Sequence, residues 1–427
     1  MKRIFVFTLL QFAAFIVFAQ KADDIINAKE AERIEKVLAA DDMRGRKAFT
    51  ADADRAADFV ANEFKQAGLQ TLNRSNSYLQ PFAMVRPKFI SAAGAADGKQ
   101  LEQKYIVVIT SQPELKMDQN SGYEKKVIAK ADNFFKEAYM CVTSGKNYFV
   151  IVDTSFAKNF QRLAQFKNSM FKSDKSVVFI LSDKEPSTFS IEAKHEIGEQ
   201  RLQNVVGIIP GKSKKNEYVI FSGHYDHIGI SKAVNGDSIN NGANDDASGT
   251  TAVILLAKYF KSLNNNERTI VFVAFTAEEA GGFGSQYFSR QFDPTKVMAM
   301  FNIEMIGTES KWGTNSAYIT GYEKTDMGKI LQKNLEGTGF TFYPDPYTQE
   351  QLFYRSDNAT LARQGVPAHT ISTSKMDNEP NYHKVSDQVE TLDMKNMAMI
   401  IKSIALSSTS IIAGKDTPSR VDVSELR

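Results

Sequence analysis

The chain has 427 residues, 42% of them apolar and 24% charged, which is enough for one large domain with an insertion or for two domains. Its 52 Lys and Arg against 50 Asp and Glu leave a net charge of +2, so the bulk balance gives no reason to expect nucleic acid or an anionic membrane as a partner. The single cysteine, Cys141, excludes an internal disulfide, and its apolar setting in "AYMCVTS" suits a buried small hydrophobe better than a nucleophile.

In chain order, residues 1–19 read as a secretory signal peptide. Lys2 and Arg3 precede an apolar run over residues 4–18, and the small residue Ala19 marks the expected cut. The run is short for a membrane span and is followed at once by "QKADD". An exported protein, periplasmic or secreted, with no membrane attachment after cleavage is the expectation. Residues 20–88 carry helical periodicity in "AKEAERIEKVLAADDMRGR" and "DADRAADFVANEFKQAGLQ", the second closing on Gly68. Residues 89–199 change character. Strand-like "KYIVVIT", "NYFVIVDT" and "SVVFILSD" alternate with lysine-rich stretches, which predicts an inserted mixed subdomain without a dense cluster of reactive residues.

From 200 to 413 strands and helices alternate: "NVVGIIPG", "EYVIFSGHYD", the helix "ASGTTAVILLAKYFKSL", "RTIVFVAF", "VMAMFNIEM", "SAYITG", a helix near 327–335, "VPAHTIST", and a last helix from about 392 to 412. This pattern predicts an α/β fold, a mainly parallel central sheet flanked by helices. Residues 414–427 are polar and read as a flexible tail.

In such sheets ligands bind beyond the carboxyl ends of the strands. There "EYVIFSG" delivers His224-Tyr225-Asp226-His227, the loop "NGANDDASGT" delivers Asp245 and Asp246, "RTIVFVAF" leads to Glu278-Glu279, "FNIEM" to Glu304, and "NEPNYHKVSD" contributes His383. Singly, each has an ordinary reading: a packing histidine, an N-cap with a first-turn acid, a solvated helix start, a strand-end charge. Together they put imidazoles and carboxylates on one rim. Zinc takes its ligands from such groups, and two zinc ions can share a carboxylate. Glu278 and Glu279 would repel each other unless solvated or faced by a cation. His195 and His369 read as structural, and His227 stands near the site without an assigned role.

The series "GHYDHIG", "GANDDASGT", "FTAEEAGGFGS", "NIEMIG", "RSDNATLARQGVPA" and "YHKVSD" resembles, in order, the motifs of the co-catalytic di-zinc aminopeptidases of clan MH. Glutamate carboxypeptidase, the transferrin receptor and glutaminyl cyclase are relatives of that family. The resemblance covers residues 203–407, more weakly the N-terminal helices. It implies a zinc exopeptidase-like fold, two zinc ions per chain and a peptide substrate. Asp245 would bridge the ions, Glu279 and His383 would complete one site, and His224 and Glu304 the other. Glu278 would be the general base, and Asp226 would orient His224 through its second ring nitrogen. Adjacent residues leaving a strand point apart, so the two glutamates can do separate jobs. Three departures stand out: Glu304 replaces the usual aspartate, Asn358 stands where "SDH" is commoner, and Phe353 occupies the spacing of an assisting tyrosine, with Tyr354 beside it. An exported zinc aminopeptidase is the reading favoured here; a glutaminyl cyclase-like transferase and a non-catalytic receptor-like module are the alternatives.

Overall fold

The computed structural model describes residues 22–426; the expected signal segment and its cut lie outside them. The chain divides into two compact units, residues 22–81 with 202–426, and residues 82–201. Both crossings fall inside strands, Leu79–Ala96 and Phe189–Ile209. No turn signal marks them in the sequence, and the second unit begins before and ends after the 89–199 insertion expected from it.

The central sheet of the first unit has seven principal strands: β1 (Phe189–Ile209, from residue 202 onward), β2 (Lys214–His224), β3 (Arg268–Phe275), β4 (Val297–Ile303), β5 (Ser316–Ile319), β6 (Thr341–Pro344) and β7 (Ala368–Ser372). Their order across the sheet is β6-β5-β7-β4-β2-β3-β1. The run β7-β4-β2-β3 is parallel, whereas β1 and β5 are antiparallel to their neighbours β3 and β7. The sheet is therefore mixed. The reason for β1 is local: only residues 210–213 separate it from β2, too few for a parallel crossover. Every residue of β3 is buried, as the unbroken apolar run over residues 270–275 requires of a strand covered on both faces.

One face is covered by α1 (Ala28–Leu38), α2 (Ala51–Ala67), α3 (Ser248–Leu263) and α4 (Met394–Ser407), with the shorter helix Met327–Asn334 packed beside α4. Helix α3 is apolar nearly all round because it packs between β2 and helices α1, α2 and α4. Phe221, Phe272 and Phe301 stack from three adjacent strands at centroid separations of 5.7 and 4.8 Å, and Phe260 of α3 closes on Phe221 at 5.5 Å. Truncating Phe221 to alanine there would cost about 3–5 kcal/mol. Helix α2 ends on Gly68 at φ +74°, the left-handed cap that glycine adopts without strain.

Two helical expectations need correction. "AADDMRGR" does not continue α1; Arg44, Gly45 and Arg46 all take positive φ, and a Cβ on Gly45 would strike the backbone of Asn240 and Gly229. The last helix breaks at Ser408, where Ser407, Ser408 and Thr409 turn their hydroxyls back onto the carbonyls of Ile404, Ala405 and Leu406. Nor are residues 414–426 a loose tail. Arg268 donates to Asp416 O at 2.7 Å and Thr417 Oγ1 at 2.5 Å, and Val421 is buried with its N–H on Gly365 O.

The second unit holds a four-stranded sheet ordered Ile106–Ile109, Val177–Leu181, Tyr148–Val152, Glu124–Ile128. Successive residues of its central strands feed opposite cores. Val150 and Val152 face the helix Phe134–Thr143, where Cys141 is buried and its thiol pushed up by that burial. Phe149 and Ile151 face a second layer that includes Leu115, Phe189 and Ile191. Among the described residues no helix is long and apolar enough to cross a membrane.

Candidate metal centre

The rim of the first unit is assembled by buried polar ties. At the exit of β2 the His224 N–H donates to Asp246 Oδ2 at 3.0 Å, while Asp246 Oδ1 accepts from Gly249 N at 3.0 Å and Met305 N at 3.1 Å. Asp246 thus caps α3 and joins it to the ends of β2 and β4. Gly249 is required there, since a Cβ would run into Ile303 O and the Asp246 carboxylate. Asp387, close to His383 in sequence, accepts from Asn244 N at 2.8 Å and Asp245 N at 3.0 Å. Arg46 is fully buried and reaches four main-chain carbonyls, Tyr225, Leu38, Asn241 and Gly242, at 2.5–2.8 Å. Three residues beside or at the rim groups, Ala277, Met305 and His383, sit at φ +57°, +53° and +56°. Each such left-handed residue costs roughly 1–2 kcal/mol, and strain of this kind gathers at functional sites.

These ties bring His224, Asp245, Glu304, Glu279 and His383 together. His224 Nε2 lies 3.4 Å from Asp245 Oδ1 and 4.0 Å from Glu278 Oε2. His383 Nε2 lies 3.2 Å from Asp245 Oδ2 and 3.1 Å from Glu279 Oε1. His227 also joins them, its Nδ1 2.9 Å from Glu279 Oε1 and 3.9 Å from Asp245 Oδ2. Two sets of donor atoms each converge within 4.8 Å: His224, Asp245 and Glu304, and His227, Asp245 and Glu279. Asp245 belongs to both, one oxygen facing each set.

These donors fit metal ions. His224 Nε2, both ring nitrogens of His227, Glu279 Oε1 and Glu304 Oε2 are buried with no hydrogen-bond partner among the described residues. Buried polar atoms are seldom left so, and four of these residues, each offering one atom to the two donor sets, call for cations between them. Nitrogen and carboxylate oxygen in this mixture suit zinc. The charges agree. Burial, opposed by His224, pushes the Glu304 carboxyl up to about 7, and Asp245 adds to the rise. Burial also raises Glu278, with Glu304 and Asp357 adding to it against His224. Asp245 and Glu279 hold the His383 imidazole up at about 10. Burial works against a charged His224, yet Asp245, Glu278 and Asp246 outweigh it and keep it well above its ordinary value.

One expectation changes in detail. Asp226 meets His224 Nδ1 through its main-chain carbonyl at 3.1 Å, not through its carboxylate, which is 3.8 Å away. That carboxylate instead accepts the Glu278 N–H at 3.1 Å, so Asp226 links the histidine to the glutamate turn. Tyr354 is not at the rim; its ring packs on Phe353 and beneath Arg363. Asn358 is buried and satisfied by Phe353 O, Ala368 O and the Thr370 hydroxyl, a structural role. His369 is likewise satisfied, between Thr320 O and the Thr325 hydroxyl at 2.8 Å each. Beside the donors lies a cavity of about 100 Å³, walled by Met305, Tyr318, Ser356, Ser372, Met376 and Tyr382.

Residues 204–407 match the model of peptidase family M28. The M28 segment contains every rim residue named above except Arg46. The chain is 29% identical over 211 residues to leucine aminopeptidase 1 of Ajellomyces dermatitidis, a stretch amounting to 45% of this chain and 52% of that protein. It spans about half the length of the first curated relatives it matches. A zinc aminopeptidase of Bacillus subtilis is similar in structure at a TM-score of 0.55 and 17% identity, over 92% of this chain and 97% of its own. Glutaminyl cyclase of Porphyromonas gingivalis is similar at a TM-score of 0.50 and 12% identity, over 91% and 99%. At these identities the structural likeness is one of fold, which peptidase and cyclase share.

Proposed function

We propose that the protein is an exported zinc-dependent aminopeptidase that holds two ions and removes N-terminal residues from peptides. The observation that carries the reading is Asp245, whose two oxygens each face a separate set of histidine and glutamate donors. His224 and Glu304 would hold one ion, and Glu279 with His383 the other, with His227 an additional nitrogen donor on that side. Zinc bound there acidifies water and polarises the peptide carbonyl. Glu278 stands next to His224 but outside both donor sets, so it is left to accept a proton from the attacking water and return it to the departing amine. Asp226 positions Glu278 through its N–H and His224 through its ring. The small cavity admits one side chain, and the surrounding carboxylates attract the ammonium of a free N-terminus. Export rests on Lys2, Arg3 and the apolar residues that follow.

Zinc content measured with turnover of an aminoacyl reporter panel and of N-terminal glutamine peptides tests this. Two zinc per chain with amine-terminal hydrolysis is expected. One zinc with cyclisation of glutamine peptides would favour the transferase reading, and no metal the receptor-like one.

A further inference from the structure

A larger cavity, about 750 Å³, lies wholly within the second unit, lined by Arg86, Lys88, Arg162, Lys167 and neighbouring residues. That volume is in the range of small-molecule sites. Lys167 is 7% exposed, and no carboxylate lies within ion-pair distance of it among the described residues. Its ammonium meets only His195 Nε2 at 3.2 Å and the face of Phe89 at 5.1 Å. His195 is neutral there: burial, then Lys167, push its imidazole down to about 4. Accepting through Nε2, it carries its proton on Nδ1, which has no hydrogen-bond partner. The imidazole thus holds the lysine without supplying a counter-charge, and burial lowers the ammonium below its ordinary value. The cavity's acids are otherwise engaged, Glu196 with Lys88 and Glu199 with Lys172. Arg86 makes no ion pair among the described residues, and Arg162 sits over the ring of Phe135. A buried cation with no counter-charge is costly unless an anion completes it.

We propose that this cavity is a binding site for an organic carboxylate, with Lys167 as its buried anchor and Arg86 and Arg162 as a polar rim. Lys167 is balanced by a single carboxylate group, any second carboxylate of the ligand lying against the exposed Arg86 and Arg162, whereas a phosphate dianion would place both of its charges on the one buried ammonium. The carboxylate can come from an acidic peptide side chain or from a free small acid. The site stands independently of the peptidase reading.

The test titrates the full-length protein with glutarate, with acetyl-(Gly-Glu)₃-amide, with its glutamine counterpart and with inorganic phosphate. Calorimetry reads the binding, and the ¹⁵N signal of the Lys167 side chain reads the contact in wild-type protein. Saturable binding of glutarate, of the glutamate peptide or of both is expected, with a shift of the Lys167 signal and at least a tenfold loss in Lys167→Met. The tighter of the two ligands identifies the source. Lys167→Met replaces a buried cation with an apolar side chain of similar length and should fold; if it does not, the wild-type side-chain signal decides. No saturable binding, an unmoved Lys167 signal, unchanged affinity in a folded Lys167→Met, or phosphate binding more tightly than either carboxylate overturns the proposal.

Discussion

Arg46→Lys is the substitution that best isolates how the rim is held. Arginine and lysine are both cations in water, so the change falls chiefly on geometry. The guanidinium donates from Nε to Tyr225 O, from Nη1 to Leu38 O and Asn241 O, and from Nη2 to Gly242 O. An ammonium has three donors at one point and cannot span four carbonyls, so at least one and by its shape two are left buried without a partner. Each costs about 1–3 kcal/mol, which for two gives a loss of roughly 2–6 kcal/mol in folding stability. The damage should not stay in the fold. Tyr225 lies between His224 and Asp226, and Asn241 and Gly242 lead into Asp245. The same loosening should weaken zinc binding by about tenfold or more, equivalent to roughly 1.4 kcal/mol. Denaturant unfolding of the metal-free protein and chelator competition with zinc read the two effects separately. Unchanged stability would refute the accounting of the four bonds; lost stability with unchanged zinc affinity would refute the coupling to the rim.

Glu278→Gln should keep its metal and lose about a hundredfold to ten-thousandfold in kcat, whereas Glu279→Gln should lose metal affinity and recover partly with added zinc. Near-full activity in Glu278→Gln would falsify that division. Glu304→Ala and His227→Ala should each weaken one ion and spare the other, read as two separable steps in chelator titration; two full equivalents held as tightly as in wild type by either variant would place that residue outside the ligands. His369 is held down to about 4 by burial, so its neutral form belongs to the fold. Its contribution is complete above the unfolded value near 6.5 and is lost as pH falls from there toward 4, up to about 3 kcal/mol. In His369→Gln the acid-side slope of stability, measured as a difference from wild type, should flatten; an identical slope would contradict it.

The sequence exposes the rim because buried parallel strands are written as largely apolar runs, and the first ionisable residue after each run lies where the chain leaves the sheet. His224, Glu278 and Glu304 are legible for that reason. His383 is not at a strand end; only the order of the motifs ties it to the others. What stays hidden is whatever works through the backbone. Arg46 and Asp387 hold the rim by bonding main-chain carbonyls and amides of segments far away in the chain, and residue type carries no trace of such partners. Asp226 shows the same limit, since its carbonyl took the contact foreseen for its carboxylate. His227 had a weak signal, three residues beyond His224 in a segment already at the rim, but a period-two strand would have turned it away. The chain leaves the strand at His224, and Gly242 lacks the Cβ that would collide with the His227 ring. The antiparallel β1 was readable from its four-residue link to β2.

The balance of charge at the rim yields a final prediction that does not depend on catalysis. Asp226, Asp245, Asp246, Glu278, Glu279 and Glu304 face His224, His227 and His383, so without a cation the carboxylates outnumber the groups that can oppose them. The fold answers by holding protons. His383 stays protonated up to about 10 because Asp245 and Glu279 flank it, His224 is kept charged by Asp245, Glu278 and Asp246, and Glu304 keeps part of its proton near neutrality. A histidine must give up its proton before its nitrogen can bind a metal. Loading zinc at pH 7 should therefore release at least the two histidine protons per chain, with further contributions from Glu304, Asp226, Asp246 and Glu278, whose carboxyls burial holds up. Calorimetric zinc titrations in buffers of different ionisation enthalpy measure that number directly. Release should fall by about one when His383 is replaced by alanine, because that variant has one fewer proton to lose. Zinc binding with no proton release would mean that the imidazoles are already neutral and that the carboxylates do not act on them as a common field.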